Sequence, residues 1–563
     1  MNTYVLGTGL SHDGSACLIK NGKVLVAIEK ERLSRIKHDG GNDALAVEYC
    51  LKAAGIQAKD LDLIVQAANF EIEIPLTRYK GKRYFNEDLQ IPVHTISHHF
   101  AHAWSAAGRS PFNACNVMVI DGCGSPFEQC MDLGGASILQ TDISDGMYCE
   151  KDSFYFFEDG KLFPLVKDFS AFNAGSRQAG FQFPTSYHSI GGLYSAVSHY
   201  CFGNMDDAGK LMGLAPYGRL RGYPSIFHLH GGRVQVKHDV LAELYNCPAA
   251  DYKHFRTNFN HYADIARWIQ DETEKALIYI FRERMLSHPH QHIAYAGGVA
   301  LNAVANSALI QKLDLKSFYI QPAAGDNGLA LGCALYGWHG IMGKAEKVAG
   351  EEVFLGCPYH DQAIADAIAS TEKQHFKKFT WKPIHDASEV AAEMLAQGCV
   401  IGWYQGGAEF GPRALGHRSI LADPKISGIK DRINARIKMR EDFRPFAPVV
   451  LLENAKKYFK NGLESPYMIL TDQILPEWRN LLSGIVHEDG SCRVQTVAKG
   501  WDQKLERLLQ LFEKRTGIGV LLNTSLNRKG MPIVETPTEA VNFFLESDLD
   551  VLVLGNFILN KVR

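Results

Sequence analysis

A chain of 563 residues, 46% apolar and 21% charged, has a globular composition and is too long for one hydrophobic core, so two or more domains are expected. Its 59 Lys and Arg stand against 62 Asp and Glu, a net charge of -3, which argues against a basic nucleic-acid surface or a membrane-binding face. The 12 cysteines are scattered singly and read as reduced, buried small hydrophobes of a cytoplasmic protein.

The stretch 4–7 reads as a strand and leads straight into a fold pattern, so no secretion signal is expected. Residues 9–16 read as a polar turn, 17–19 as the strand returning from it, and Asn21-Gly22 as a hairpin turn into a third strand over 24–28. A hairpin with a Gly/Ser turn is how actin-like and sugar-kinase-like ATPases begin. The charged run 29–38 follows a buried strand directly, which suits a cleft lining. A helix is expected over 44–54 and a strand over 61–66. The plan then repeats: a strand over 117–121, a turn at 122–124, and strand pairing resumed at 134–139, implying a duplicated fold. The stretch 209–218, with three glycines, reads as a loop; 264–286 reads as a long amphipathic helix. The strand 293–296 enters Gly297-Gly298, whose backbone N–H groups suit a phosphate or ribose. Composition turns small and charged at 343–353, where a domain boundary is expected, giving domains 1–350 and 351–563. Beyond it come a helix over 388–397, a strand over 399–404, the glycine- and arginine-rich segment 405–419, a strand over 520–523, and a helix start at Thr536-Pro537 with Glu539.

Two constellations carry chemistry. His98 and His102 are four apart, which on a helix places both imidazoles on one face. Asp121 ends a strand, and Asp326 lies in the glycine turn Gly325-Asp326-Asn327-Gly328. Two His and two Asp make a mixed site suited to iron(II), manganese or zinc with positions left open. In the second half, Arg413, Arg418, Lys438 and Arg444 surround glycines and hydroxyls. Guanidinium forks hold phosphate or carboxylate oxygens in pairs, and Asn523 and Ser525 suit the neutral end of the same ligand. Pairing of these cations with Glu409, Glu441 and Asp442 is the competing account.

The residues match a family. His12-Asp13-Gly14-Ser15-Ala16, the run 29–35, His98-His99-Phe100-Ala101-His102, Asp121-Gly122, the stretch 209–218, Gly297 to Asn302, Gly325 to Gly328, Gly411 to Ser419, Arg444 to Pro448 and Asn523-Thr524-Ser525 together resemble the NodU/CmcH-type O-carbamoyltransferases over essentially the whole length. The resemblance implies an α/β chain: a Kae1/TsaD-like, actin-like (ASKHA) duplicated N-terminal domain, then a YrdC/Sua5-like twisted-sheet domain around a basic cavity. It implies that carbamoyl phosphate and ATP, with Mg2+, form carbamoyladenylate in the second domain. The first domain then transfers the carbamoyl group to a hydroxyl. It carries Fe2+ onto His98, His102, Asp121 and Asp326, and carbamoyl phosphate onto Arg413, Arg418, Lys438, Arg444, Asn523 and Ser525. Nucleotide binding falls on Gly122, Lys210, Gly213, Gly297, Gly298 and Asn302. His12 is the expected base for the acceptor hydroxyl, oriented by Asp13, and Lys37 the expected partner of the departing AMP phosphate.

The expected partner is a small-molecule acceptor of natural-product or sugar-containing type, with the variable stretches 78–89 and 154–187 shaping its pocket. No nucleic acid and no membrane are expected, and a homodimer is the candidate assembly. Threonylcarbamoyl modification of tRNA shares both folds, but the chain lacks a basic stripe. A non-catalytic ATP-binding regulator leaves the arginine cluster without a role.

Overall fold

The computed structural model describes residues 2–562 except 71–82, 86–89, 141–142, 144–145, 173–176, 179–180, 183–187, 243–247, 314, 316, 349–352 and 376–377. The chain divides into two compact units, residues 1–34 with 38–352, and residues 35–37 with 353–563. Among the described residues, no helix is long and apolar enough to cross a membrane.

The first unit opens with β1 (Tyr4–Leu10), β2 (Ser15–Lys20) and β3 (Lys23–Glu29). Asn21 (φ 49°) and Gly22 (φ 76°) form the tight turn between β2 and β3. The turn between β1 and β2 is only 11–14, shorter than expected, because strand pairing runs on from Tyr4↔Lys20 to Gly9↔Ser15. β4 (Leu63–Ala68) then pairs parallel with β1, and β5 (Val93–Ile96) parallel with β4, giving the order β3-β2-β1-β4-β5.

A second sheet repeats this plan. It contains β6 (Ala114–Ile120), β7 (Ser137–Ile138), β8 (Tyr148–Glu158) and β9 (Lys161–Ala171). Two small ribbons follow in the chain, β10 (Arg177–Gln178) with β11 (Phe181–Gln182), and β12 (Phe227–His230) with β13 (Arg233–Val236). β14 (His292–Ala296) and β15 (Ser317–Ile320) complete the second sheet, in the order β15-β14-β6-β8-β9-β7. As in the first sheet, the leading strand pairs antiparallel with a hairpin on one side and parallel with a late strand on the other. This is the duplicated arrangement expected of an actin-like fold. The partner of β6 differs from the sequence expectation: it is the eleven-residue β8, register Ile120↔Asp152, whereas 134–139 contributes only the short edge strand β7. The longer apolar strand offers far more side-chain burial against β6 than a Gly-Gly start can.

The stretch read as a loop at 209–218 is helical: Ala208–Leu214 followed by a 3-10 turn, Ala215–Tyr217. Leu211 and Leu214 are fully buried, and that packing outweighs the weak helix propensity of the glycines. The long helix runs Phe259–Ser287. Helix Leu329–Tyr336 is wedged between β1 and helix His98–Arg109, and small residues make the wedge possible. A Cβ on Gly332 would lie 1.8 Å from the Ala101 carbonyl oxygen, and one on Gly7 2.0 Å from that of Ala330. The two candidate ligand segments are brought together by this close approach.

The second unit is built on one nine-stranded sheet: β16 (Phe379–Pro383), β17 (Ile401–Tyr404), β18 (Arg418–Ala422), β19 (Ala447–Leu451), β20 (Leu470–Gln473), β21 (Ser491–Val497), β22 (Val520–Ser525), β23 (Val551–Leu554) and β24 (Phe557–Lys561). Its order is β16-β24-β23-β17-β18-β22-β19-β21-β20. Alternation divides two cores across it. Trp403, Val449, Leu451, Leu521, Val551 and Val553 face helices Ala387–Ala396 and Gln503–Thr516. Tyr404, Val450, Leu522, Leu552 and Leu554 face helices Asp361–Gln374 and Pro537–Glu546. Thr536 and Glu539 close both arms of the expected capping box.

The Gly332 contact generates a prediction. Gly332→Ala should destabilise the protein by about 3 kcal/mol, the upper end of overpacking costs, and lower the midpoint of urea unfolding. An unchanged midpoint would mean the two helices have room to spare.

Candidate active site

His98 and His102 lie one turn apart on their helix, both with no exposed surface. Asp121 directly follows β6, and Asp326 opens the 3-10 turn Asp326–Gly328 ahead of the wedged helix. The structure brings all four together: one donor atom from each lies within 4.8 Å of the others. His98 Nε2 is 3.0 Å from Asp121 Oδ2, 3.4 Å from Asp326 Oδ1 and 3.1 Å from His102 Nε2. His102 Nε2 is 3.4 Å from Asp121 Oδ2 and 3.7 Å from Asp326 Oδ1. Tetrahedral bonds of about 2.1 Å to a divalent cation would set donors roughly 3.4 Å apart, so the set fits a metal of the iron, manganese or zinc kind. Two imidazole Nε2 atoms facing each other, with both buried Nδ1 atoms lacking a hydrogen-bond partner, also suit a cation better than a hydrogen-bond network.

The second oxygens of both carboxylates are anchored. Asp121 Oδ1 accepts the Gly122 and Gly298 amides at 2.7 and 3.1 Å, and Asp326 Oδ2 accepts the Ser11 hydroxyl at 2.6 Å. Burial works against the charged forms, but the opposed charges prevail. Asp326 and Asp121 push His98 up to about 10, and the histidines hold both carboxyls well below the usual range.

His12 lies beside this centre, its backbone N–H 3.4 Å from Asp326 Oδ2. Its Nε2 contacts Asp206 Oδ1 at 2.8 Å, while Asp13 Oδ2 is 3.4 Å from Nδ1. Asp13, expected to orient the ring, is one of two carboxylates at it: Asp13 makes its shorter contact with His38 Nδ1, at 2.9 Å, and Asp206 is the closer partner of His12. Neighbouring side chains diverge from the backbone, whereas Asp206 comes from a separate turn, Met205–Asp207. Sequence reasoning passed over it, although it stands just ahead of the 209–218 motif.

Among the nucleotide candidates, Gly122 and Gly298 donate to Asp121. Gly297 needs its positive φ of 96°, since a Cβ there would meet the Ile120 carbonyl oxygen at 2.3 Å. Gly213 is buried in its helix. Lys210 contacts Asp207 at 2.7 Å, and Asn302 exchanges hydrogen bonds with Gln270 at 3.0 and 3.2 Å. Lys37 is not grouped with His12. It belongs to the second unit, where its charge acts on Lys438. The stretch 78–89, apart from 83–85, and the residues 173–176, 179–180 and 183–187 of 154–187 lie outside the described residues.

In the second unit, Glu409 is buried within the glycine loop. Its Oε1 accepts the amides of Leu415, His417 and Arg418 at 2.8, 2.8 and 3.1 Å, fixing the glycine loop. Arg418 stacks on Tyr404 at 3.6 Å and donates to the carbonyls of Gln405, His417 and Gly406. Lys438 Nζ donates to Ser525 O, Ser525 Oγ and Asn527 Oδ1 at 2.6, 3.0 and 2.6 Å, holding the turn after β22. Arg418 and Lys438 thus hold the glycine loop and the Ser525 turn in place.

The charge surplus is carried by Arg413, Arg440, Arg444 and Arg493. Burial and then Arg444 draw Arg413 down to about 10. Burial followed by the neighbouring arginines pulls Arg440 and Arg493 well below their usual value. Guanidinium stays protonated in proteins, so burial and mutual repulsion act here on charged side chains. The Nε atoms of Arg413 and Arg493 are buried without a partner. Glu441 offsets part of the charge, 3.7 Å from Arg444, and also meets Lys529 at 2.6 Å. Arg493 was missed in the sequence; its one signal is a charged residue inside the otherwise buried β21. Asn523 donates through Nδ2 to Ala414 O and Gln495 Oε1, at 3.3 and 2.7 Å, while its buried Oδ1 has no hydrogen-bond partner.

Comparison with known proteins agrees on one family. Residues 5–75 and 76–335 match the family model "Carbamoyltransferase N-terminus", and 392–561 match "Carbamoyltransferase C-terminus". Nodulation protein NolNO of Sinorhizobium fredii is 31% identical over all of this chain and 80% of its own. The 3'-hydroxymethylcephem-O-carbamoyltransferase of Streptomyces clavuligerus is 31% identical over 62% of this chain and 64% of its own. The crystal structure of T. kodakarensis HypF covers 62% of this chain and 49% of its own at 15% identity, with a TM-score of 0.38.

The arginine cluster predicts a stability effect. Unrelieved like charge opposes folding, so Arg493→Met should raise the melting temperature in anion-free buffer. Inorganic phosphate should stabilise the parent protein, by about 2.7 kcal/mol at a hundred times its dissociation constant, and the variant much less. Equal phosphate stabilisation of both would remove Arg493 from the anion site.

Proposed function

The chain belongs to the carbamoyltransferase family, and from that premise we propose how its two centres divide the reaction. It is an ATP-dependent O-carbamoyltransferase that makes carbamoyladenylate in the second unit and uses it in the first. The carrying observation is Asn523 Oδ1, a buried acceptor with no hydrogen-bond partner, in the unit that holds the half-buried arginine cluster. Carbamoyl phosphate offers the complement of both features: an NH2 donor at one end and a dianion at the other.

The arginines Arg413, Arg440, Arg444 and Arg493, with Lys37, neutralise that dianion and so admit a second polyanion, ATP with Mg2+. The carbamate oxygen bonds to the α-phosphorus of ATP and pyrophosphate leaves. Atom balance requires uptake of one water and loss of inorganic phosphate as well. Arg418 and Lys438 hold the glycine loop and the Ser525 turn in place around these groups.

In the first unit His98, His102, Asp121 and Asp326 would hold iron(II), with manganese or zinc suited to the same donors. Bound there, the metal supplies a Lewis acid for the carbamoyl oxygen and the adenylate phosphate. Gly122, Gly213, Gly297, Gly298, Lys210 and Asn302 are the proposed nucleotide-binding set. The acceptor is a small hydroxylated molecule, a reading supported by the named activity of the cephem relative. Asp206 at Nε2 and Asp13 at Nδ1 hold the ring of His12, the proposed base for the hydroxyl proton. As that proton leaves, the oxygen bonds to the carbamoyl carbon and the bond to the AMP oxygen breaks.

Three sets of variants test this division. His98→Ala and Asp326→Ala should each lose bound metal, by elemental analysis, and lose carbamoyl transfer while retaining pyrophosphate release from carbamoyl phosphate and ATP. Arg413→Ala should lose that release; release at the normal rate would place the carbamoyl-phosphate site elsewhere. His12→Asn should release pyrophosphate normally and transfer roughly 10²-fold more slowly, the scale of a lost general base. Transfer within a few-fold of the parent would assign the proton to the metal centre or to the leaving phosphate.

A further inference from the structure

A buried charge cluster outside the proposed reaction lies against the start of the histidine helix. Cys130, Asp132 and Glu150 bring donor atoms within 4.8 Å of one another, a spacing a metal could use. A protein cation already serves them: Lys167 Nζ lies 2.6 Å from Asp132 Oδ2 and 2.5 Å from Glu150 Oε1. None of the three charged side chains is more than 3% exposed.

Both carboxylates reach from this ammonium to the helix. Asp132 Oδ1 accepts the hydroxyl of Ser97, the residue that precedes the helix, at 2.6 Å, and its Oδ2 also accepts Tyr155 OH at 2.7 Å. Glu150 Oε2 accepts the amides of His99 and Ser125 at 3.1 and 3.0 Å. Ser125 Oγ in turn accepts the amide of His98 at 2.9 Å. The first amides of a helix have no partner within it, so these contacts fix where the helix begins. The same carboxylate binds the loop that carries Asp121, which backbone bonds from Gly124 N to Glu150 O (2.8 Å) and Asp121 N to Lys151 O (3.1 Å) also tie to β8. A Cβ on Gly124 would lie 2.6 Å from His99 Cδ2, so loop and helix touch with no slack.

We infer that Lys167 is a positioning residue for the metal site: its ammonium bridges Asp132 and Glu150, and they clamp the His98 helix to the Asp121 loop. Three of the four proposed ligands depend on this clamp. The inference rests on the metal reading above. Loss of the ammonium would leave two buried carboxylates facing each other, and relief of that repulsion would shift the helix start. Groups that orient metal ligands typically affect metal affinity by about 10- to 100-fold.

The test measures Mn(II) and anaerobic Fe(II) affinity by chelator competition, with circular-dichroism melting as the folding check. Lys167→Met should bind metal about 10- to 100-fold more weakly. Adding Glu150→Gln to that variant restores the wild-type net charge of the cluster and keeps an oxygen for the His99 and Ser125 amides. It should recover most of the lost affinity, which a mere packing defect at Lys167 would not do. Ser97→Ala leaves every charge in place and should weaken binding several-fold; it decides the question if Lys167→Met does not fold. Parent-like affinity in Lys167→Met, no recovery in the folded double variant, or parent-like affinity in Ser97→Ala beside an unfolded Lys167→Met would overturn the inference alone. A wild-type protein that binds neither metal would overturn the metal reading and this inference with it.

Discussion

Two carboxylates and two imidazoles held within 4.8 Å form the constraint on which the first unit depends. Desolvation and like charge oppose such a gathering, and both must be offset locally. The fold meets this with fixed dipoles. Asp121 receives two backbone amides, Asp326 a hydroxyl, and the imidazoles sit where both carboxylates reach them. Close approach is the second requirement. Glycines at 7, 297 and 332 stand where any side chain would strike a neighbouring carbonyl, so helix, strand end and turn converge at backbone distance. The glycines are thus part of the site's geometry as much as the ligands are.

The second unit solves the opposite electrostatic problem. Its arginines gather against burial and mutual repulsion, and in the proposed reaction that cluster is the anion site. A preassembled positive cluster would lower the cost of removing a phosphate from water, at the expense of stability without the anion. The scaffold that tolerates it is rigid. Glu409 locks the glycine loop through three amides, Lys438 locks the turn after β22, and the nine-stranded sheet has a packed core on each face. Two charge regimes that would neutralise one another in a single core are thus built on separate sheets.

Lys37 and Asp206 show how far local reading extends. The charged run 29–38 was legible as more than a solvated turn, and Lys30 and Arg32 are indeed buried. Its last residues group with the second unit, which no periodicity announces. Asp206 meets His12 across 194 residues of chain, and Arg493 joins Arg413 and Arg444 from a different strand. Each of these residues looks ordinary in its own neighbourhood.

What the sequence by itself determined were the properties that act over a few residues. The Asn21-Gly22 turn, the Thr536 cap and the shared face of His98 and His102 all follow from backbone geometry within one turn or one pleat. The family resemblance likewise rests on short motifs, each contiguous in the chain. The tertiary structure alone decided which strand pairs with β6, that 208–217 coils into helix, that Asp206 meets His12, and that a buried lysine sits behind the start of the histidine helix. The physical reason is common to all four. Hydrophobic burial is non-directional and is satisfied by the whole chain at once, so contacts between distant residues are settled by global packing, and no local pattern encodes them.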